Sequence, residues 1–216
     1  MTKTRFPALV SISVALALGP FVSALAAGAP TTETIVMVRH AEKPMDDLGQ
    51  LNCQGLNRAL ALPAVIGKQF GRPDAIFAPN PSEEVTVEGV KYDYVRPLAT
   101  IEPTAIAFGL PVHASIGFSH IDDLGKELEA AAFASSLVIV AWEHKQIAPL
   151  ANRLMVDFGG EAKVEKWSGD DFDSIYVIRI TRSDGTAKAI FEHGHEGLDG
   201  QSDTCPGQPT PNNPVH

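Results

Sequence analysis

The chain has 216 residues, of which 44% are hydrophobic and 20% charged, and its formal net charge is −9 at pH 7. These values fit a single globular domain with a sizeable core and exclude a largely disordered chain. The acidic balance argues against a nucleic-acid-binding protein, which needs a basic surface, so any site for an anion must be local.

The start of the chain has the three-part pattern of a secretory signal peptide. Lys3 and Arg5 precede an apolar run over residues 8–18, and small residues at 24–26 offer a cleavage site. The run is shorter than the roughly 20 residues of a membrane-spanning helix. We therefore expect export to the periplasm or the medium, with no stable membrane insertion once residues 1–26 are removed. The alternative is an uncleaved N-terminal anchor.

The first strand is predicted at Thr34–Val38, an apolar run that ends abruptly at Arg39 and His40. Its successive positions are apolar, a pattern that is typical of a strand buried on both faces of a sheet. The next element is a helix with Asn52 as its N-cap, and Pro63 is expected to bend or break it.

Strand and helix signals alternate through the middle of the chain. In order, they are a strand at Asp74–Ala78, a polar insertion at Pro79–Tyr94 with a small hairpin, a helix at Pro97–Phe108 interrupted by Pro103, and a helix capped by Ser119 or Asp122. Arg96 immediately precedes the second helix. Arg58, in the first helix, is expected to pair with an acid on a neighbouring element.

The second half continues the alternation. It contains a strand at Leu137–Trp142, a helix at Lys145–Phe158 stopped by Gly159 and Gly160, and strands at Ser174–Ile180 and Ala187–Phe191. His144 lies two residues beyond the first of these strands.

This order predicts one α/β domain, residues 34–193, with a mainly parallel sheet covered by helices. Residues 27–33 would be a linker, and residues 194–216 an irregular or mobile tail. Ligands bind at the carboxyl ends of strands in such sheets. Arg39, His40 and His144 are therefore expected at the same edge.

Two cysteines are present, Cys53 and Cys205. In an exported chain they can form a disulfide, which would stabilise the fold by about 4–5 kcal/mol in the chain-entropy model. The alternative is a buried thiol and a separate thiol in the tail.

Two polar clusters leave alternatives open. His193, His195 and Glu196 could bind a metal, although a short histidine pair in a tail more often has no specific role. The aspartates at 170, 171 and 173 precede a strand; they could hold a cation, but an Asx turn is the simpler interpretation.

Three motifs resemble those of the histidine phosphatase superfamily, which includes phosphoglycerate mutase-like and acid phosphatase groups. Arg39-His40 is similar to its Arg-His-Gly hallmark, RPLATIEPTA at Arg96 to its second-arginine helix, and WEHKQIAPLANRL at His144 to its second-histidine motif. The resemblance covers roughly residues 34–191. It implies a three-layer α/β/α sandwich.

The resemblance also implies a chemistry. His40 would attack phosphorus and form a phosphohistidine intermediate. Arg39, Arg96 and His144 would bind the phosphoryl oxygens, and Lys43 would attract the anion. Positioned positive groups supply most of the catalysis in phosphoryl transfer, so this scheme requires no metal or cofactor.

The sequence departs from the family pattern at two places. Ala41 replaces the usual glycine, and Lys145 follows His144 where the phytase-like branch has an aspartate. The leaving group still needs a proton. Its donor could be Asp122, Asp123 or Glu143, although strand alternation would point the last of these away from the site.

Together these features predict an exported phosphomonoesterase that acts on a small phosphorylated substrate. One alternative is a non-catalytic periplasmic protein that binds a phosphate ester or polyanion. Another is a structural or interaction protein, in which Arg39 and His40 are only the charged end of a strand.

Overall fold

The structure is a computed structural model that describes residues 1–2 and 29–208. All but two residues of the predicted signal peptide, 1–26, lie outside this part, as does the end of the tail from residue 209. Over the described ranges, none of the helices has the length and apolar character needed to cross a membrane.

Strands and helices alternate along the described chain. In order they are β1 (Thr31–Arg39), α1 (Cys53–Gln69), β2 (Ala75–Phe77), β3 (Glu84–Val87), β4 (Val90–Asp93), α2 (Arg96–Phe108), β5 (Val112–His113), α3 (Ile121–Leu128), β6 (Leu137–Trp142), α4 (His144–Asp157), β7 (Ser174–Ser183) and β8 (Thr186–His195). A 3-10 turn, Ala131–Phe133, precedes β6.

The main sheet has six strands in the order β5-β2-β6-β1-β7-β8. The pairs from β5 to β1 are parallel, whereas β7 runs antiparallel to both β1 and β8. Strands β3 and β4 form the small hairpin predicted within the polar insertion. The structure therefore confirms an α/β fold with a mainly parallel sheet.

Helices cover both faces of the sheet, which makes three layers. Ile35 and Met37 of β1 pack with residues of α3 and α4, while Val36 and Val38 pack with residues of α1 and α2. All four β1 side chains are fully buried. This explains why the strand is apolar at successive positions.

Two helix predictions were wrong in detail. The predicted interruption of α2 at Pro103 is absent, and Pro63 does not break α1, because the burial of apolar side chains on the same helices outweighs one lost hydrogen bond. Neither Ser119 nor Asp122 caps α3; His120 occupies the N-cap position, and the Ser119 hydroxyl donates to Glu83 instead. Asn52 does cap α1, accepting from the Gly55 N–H at 2.8 Å.

The end of the chain is irregular but attached to α1. Strand β8 extends to His195, beyond the predicted domain end, and a disulfide joins Cys53 to Cys205. The Asn57 side-chain amide donates to the carbonyls of Ser202 and Thr204 at 2.8 and 2.9 Å. Residues 196–205 are therefore held against the first turns of α1.

The topology brings three chain segments to one edge of the sheet. Strands β1 and β6 are parallel neighbours, with Arg39 paired to Trp142, so both end there. Because β7 is antiparallel, the segment that precedes it arrives at the same edge. We call this segment, residues 158–173, the α4–β7 loop.

Candidate active site

His40 lies just beyond β1 and is 3% exposed. Its backbone N–H donates to the Trp142 carbonyl at 3.0 Å, which extends the pairing of β1 with β6. Its ring Nδ1 lies 2.8 Å from the Ala41 carbonyl oxygen. Since a carbonyl only accepts, Nδ1 carries the hydrogen in this contact and Nε2 of the neutral ring has a free lone pair.

The environment keeps His40 neutral. Burial lowers its pKa well below the ordinary value of 6.5, and the Ala41 carbonyl only partly opposes this. The positive charges of Arg96 and Arg39, together with His144, lower the pKa further. His40 is therefore unprotonated at neutral pH and lies among permanent cations, which is the state that a histidine nucleophile requires.

The α4–β7 loop holds Arg39. One guanidinium nitrogen, Nη1, donates to the carbonyls of Gly169 and Asp171 at 2.7 and 2.8 Å. The guanidinium carbon lies 3.8 Å from the ring centroid of Phe172, a cation–π contact. Burial lowers the pKa of Arg39, while the charge of Glu143 opposes that change. Arg39 is thus fixed in position and remains charged at neutral pH.

Arg96 is the first residue of α2 and is also buried. Its guanidinium lies over the Tyr94 ring, 4.6 Å from the centroid. Thr100, one turn later, links this helix to the residue after His40: its hydroxyl donates to the Arg96 carbonyl and accepts from the Ala41 N–H, both at 2.9 Å. The helix start and the loop after His40 are therefore connected through one side chain.

His144 begins α4, and Glu143 is the N-cap of that helix. One Glu143 oxygen accepts from the Lys145 N–H at 2.8 Å, and the other lies 2.9 Å from His144 Nδ1. Although burial raises the pKa of Glu143, these contacts outweigh burial and lower it overall. Glu143 is therefore ionised and fixes the orientation of the imidazole.

Asp47 completes the site, and the sequence motifs gave no indication of it. Its carboxylate lies 2.6 Å from the Lys43 ammonium and forms a close ion pair with Arg96. It is 5% exposed. The Gly49 carbonyl accepts from the N–H groups of Val95 and Arg96, both at 3.1 Å, which joins the Asp47 loop to the start of α2.

Polar atoms without a hydrogen-bond partner accumulate at this edge. Across residues 29–208, they include the buried Nε atoms of Arg39 and Arg96 and the hydroxyl of Tyr94. Lys43 belongs to the same group of cations, because burial and then the charges of Arg96, Arg39 and Lys145 lower its pKa. Such unpaired donors in a cation-rich pocket are suited to an anion with several oxygens.

Two predicted proton donors are not part of this cluster. Asp122 pairs with Arg153 at 2.6 Å and Asp123 with Lys126 at 2.8 Å, all on α3 and α4 and away from the contacts of His40. The Lys126 ammonium lowers the pKa of the exposed Asp123. The structure thus brings together Arg39, His40, Lys43, Arg96, Glu143 and His144, and leaves Asp122 and Asp123 at the surface.

The two polar clusters near the C-terminus have ordinary structural contacts. The Asp171 carboxylate accepts from the N–H groups of Asp173 and Ser174 at 2.9 and 3.0 Å, which confirms the predicted Asx turn. His193 lies in β8, with Nε2 2.7 Å from the Ser174 hydroxyl. Within the described ranges, no group of three or more His, Cys, Asp or Glu side chains has the arrangement of a metal site.

Several contacts could not be read from the sequence. Asp47 and Phe172 lie in irregular segments, where no periodicity fixes the direction of a side chain. The carbonyl groups that hold Arg39 are reached only because β7 is antiparallel. The spacing of Arg96 and Thr100 does carry a signal, since positions four apart share one face of a helix.

Neither a protein-family model nor a curated protein sequence matches the chain. Among solved structures it resembles a mycobacterial glucosyl-3-phosphoglycerate phosphatase, with a TM-score of 0.49 and 16% identity over 74% of this chain and 97% of the other. A Nakamurella multipartitia protein named as the phosphohistidine phosphatase SixA gives 0.48 and 16% over 75% and 96%. The alpha-ribazole phosphatase of Shigella flexneri gives 0.45 and 11% over 73% and 94%.

These three neighbours are phosphatases by name. Every TM-score is below 0.5 and every identity is at most 16%, so the similarities do not establish an activity or a substrate for this chain.

Proposed function

We propose that this protein is a phosphomonoesterase that acts through a phosphohistidine intermediate on His40. The observation that carries this proposal is the neutral, buried imidazole of His40 surrounded by cations, with Nδ1 held by a carbonyl and unpaired N–H groups on both Arg39 and Arg96. A surface strand end would offer a histidine to solvent instead. His40 is instead buried beside the charges of Arg96 and Arg39.

In the first step, the Nε2 lone pair of His40 attacks phosphorus and forms a P–N bond. The P–O bond to the substrate alcohol breaks, and the leaving oxygen takes the bonding electron pair. Arg39, Arg96 and His144 donate hydrogen bonds to the three non-bridging oxygens, whose charge they neutralise in the transition state. Because these groups are already in place, little reorganisation is required.

Asp47 is our choice for the proton donor to the leaving oxygen. Its partners, Lys43 and Arg96, are the cations that an incoming phosphoryl group would engage. An approaching dianion also repels the carboxylate, so that Asp47 takes up a proton from solvent as the substrate binds. It gives this proton to the leaving oxygen when the P–O bond breaks. Glu143 is less suited, because the Lys145 N–H and His144 favour its ionised form.

In the second step, the Asp47 carboxylate accepts a proton from a water molecule, whose oxygen attacks phosphorus. The P–N bond breaks, and its electron pair returns to Nε2. Inorganic phosphate leaves, and His40 is again neutral. Asp47 releases its proton to solvent when it pairs again with Lys43 and Arg96, which restores the resting state. This cycle balances without a metal ion.

The experiment is turnover of an aryl phosphate by the purified protein, with and without a chelator, beside the variant His40→Ala. We expect hydrolysis that the chelator does not abolish and that falls by about 10³-fold or more in the variant. Phosphate binding without hydrolysis by the wild type would instead identify the non-catalytic binding protein. Activity that survives His40→Ala would exclude this mechanism.

We also propose that the protein acts outside the cytoplasm. The signal-peptide pattern of residues 1–26 supports this location, and so does the Cys53–Cys205 disulfide, since such bonds persist in oxidising compartments. Cell fractionation with N-terminal sequencing tests it. A cytoplasmic protein that retains residue 1 would contradict it.

A further inference from the structure

A groove of about 290 Å³ begins at the nucleophile's neighbour His144 and runs along α4. Its walls are the first turns of α4 and the segment of the α4–β7 loop around Val164 and Lys166. The lining residues are His144, Lys145, Ala148, Pro149, Asn152, Val164 and Lys166. Its volume is that of a small-molecule site.

The groove is continuous with the anion pocket in both structure and charge. His144 lines the groove and lies two residues beyond Trp142, whose carbonyl accepts from the His40 N–H at 3.0 Å. Lys145 lines it as well, and its charge lowers the pKa of Lys43. A substrate whose phosphoryl group meets His40 can therefore extend directly into the groove.

The far wall is held in place by Asn152. Its amide donates to the carbonyls of Ala148 and Val164 at 3.1 and 2.9 Å, and its oxygen accepts from the Val164 N–H at 3.0 Å. Asn152 thereby ties the α4–β7 loop to α4. The same loop fixes Arg39 through its later carbonyls, so one ordered segment shapes both the groove and the pocket.

The chemistry of the lining is uneven. Ala148, Pro149 and Val164 form an apolar floor, whereas Lys145 and Lys166 are exposed lysines at its sides. Neither lysine forms an ion pair with any side chain in residues 29–208, unlike Lys163 on the same loop, which pairs with Glu161. In a chain of net charge −9, two unpaired lysines beside one groove mark a place for negative charge.

We propose that this groove binds the alcohol portion of the substrate, and that this portion carries a second anionic group, a carboxylate or a phosphate, which pairs with Lys145 and Lys166. The inference rests on the proposed phosphatase function and adds a substrate class to it. Small phosphomonoesters with one further anion are favoured over neutral sugar or nucleoside phosphates.

The test compares two substrates that differ in one charge, 4-carboxyphenyl phosphate and 4-carbamoylphenyl phosphate. We expect the wild type to prefer the carboxylate by about three- to tenfold in kcat/KM. The preference should decrease at high salt. Lys166→Gln should move the ratio toward one, whereas Lys163→Gln, the matched control on the same loop, should leave both substrates unchanged.

A binding measurement keeps the two proposals distinguishable. Calorimetric titration with 4-carboxyphenylphosphonate and phenylphosphonate needs no turnover. If the protein hydrolyses the substrates but prefers the carboxylate in neither the kinetic nor the calorimetric assay, the groove proposal is overturned and the phosphatase proposal stands. A binding preference that Lys166→Gln removes, without turnover, would support the groove and overturn the enzyme. Neither turnover nor preference would overturn both.

Discussion

In the segment after β1, His40 and Glu42 belong to two different clusters of charged side chains. The two clusters are opposite in composition. His40 faces a pocket in which Arg39, Arg96 and Lys43 outnumber the acids near them. Glu42 faces a cluster in which one arginine, Arg58, meets four carboxylates. The arginines of the His40 cluster have N–H groups without a hydrogen-bond partner, whereas Arg58 in the Glu42 cluster has none.

Arg58 is fully buried, and each of its guanidinium nitrogens is hydrogen-bonded. Nε and Nη2 donate to Glu42 at 3.0 and 2.8 Å, Nη1 donates to Glu196 at 2.7 Å and Asp173 at 3.2 Å, and Nη2 donates to Asp199 at 2.9 Å. These acids come from the loop after β1, from the end of the α4–β7 loop and from the segment after β8. The cluster fastens the C-terminal segment to the fold.

The difference shows that a buried cation can either stabilise the fold or remain available to a ligand. A cation whose donors are all hydrogen-bonded within the protein is structural. Its loss leaves the acidic partners buried without a counter-charge. A cation with unsatisfied donors is less stable in the resting protein and more useful to a ligand. Arginine occurs in both arrangements here: Arg58 has all its nitrogens paired, whereas Arg39 and Arg96 do not.

The largest effect on stability is expected for Arg58→Met. Removal of the guanidinium leaves Glu42 and Asp173 buried without a counter-charge, which should cost about 3–5 kcal/mol. Urea unfolding measures it. Arg179→Met, which removes a partly exposed pair with Glu192, is the control and should cost about 1 kcal/mol or less. Equal losses in the two variants would contradict a structural role for the Arg58 cluster.

Arg96→Met should lower activity strongly and stability only slightly, the reverse of what is expected for Arg58→Met. We expect kcat/KM for an aryl phosphate to fall by about 10²–10³-fold, because one donor to the phosphoryl oxygens is lost. Stability should fall by about 1 kcal/mol or less, since Asp47 keeps Lys43 as a partner. Steady-state kinetics and urea unfolding of the same preparation give both values. A loss of stability as large as that of Arg58→Met would contradict the distinction between a structural cluster and a ligand-binding one.

Asp47→Asn should affect substrates according to their leaving groups. We expect kcat for an alkyl phosphate to fall by about 10²-fold, because an alkoxide requires a proton as it leaves. With 4-nitrophenyl phosphate the decrease should be much smaller, since nitrophenolate leaves without one. Asp46→Asn, at the exposed neighbouring position, is the control. A similar decrease for both substrates would show that Asp47 only positions Arg96.

The last prediction concerns the pH dependence of stability. Burial, assisted by the charges of Asp173 and Glu42 and opposed by Arg58, raises the pKa of Glu196 from 4.5 to about 8. Between these values the folded state binds more protons than the unfolded state, so this group's contribution to stability is lost as the pH rises.

Glu196→Gln should remove that decline. Its free energy of unfolding, compared with that of the wild type, should therefore rise between about pH 5 and pH 8. Urea titrations across this range provide the comparison. Parallel curves for the two proteins would mean that Glu196 is ionised in the folded state at all of these pH values.

The sequence was most informative where burial or spacing constrains a residue. The apolar run before Arg39 predicted a strand buried on both faces, and the carboxyl-end rule placed His144 beside His40. The expected pairing of Arg58 with an acid is confirmed. These inferences succeed because a sheet leaves few positions for a strand's neighbours.

The rest depends on long-range geometry. Asp47 lies in a loop with positive φ at Asp47, Leu48 and Gly49, a conformation that no hydrophobic period specifies. The antiparallel direction of β7 decides which backbone carbonyls accept from Arg39. The apolar pattern that predicts a strand does not predict the direction in which it runs. Asp122 and Asp123 were candidate proton donors, but their ion-pair partners are residues of α3 and α4.

The most direct test of the central claim is a rapid-quench experiment with a radiolabelled aryl phosphate. We predict an acid-labile, base-stable phosphoryl group that appears within one turnover, maps to the peptide containing His40 and is absent from His40→Ala. Label on another residue, or turnover of the wild type with no labelled protein at any time, would contradict the account.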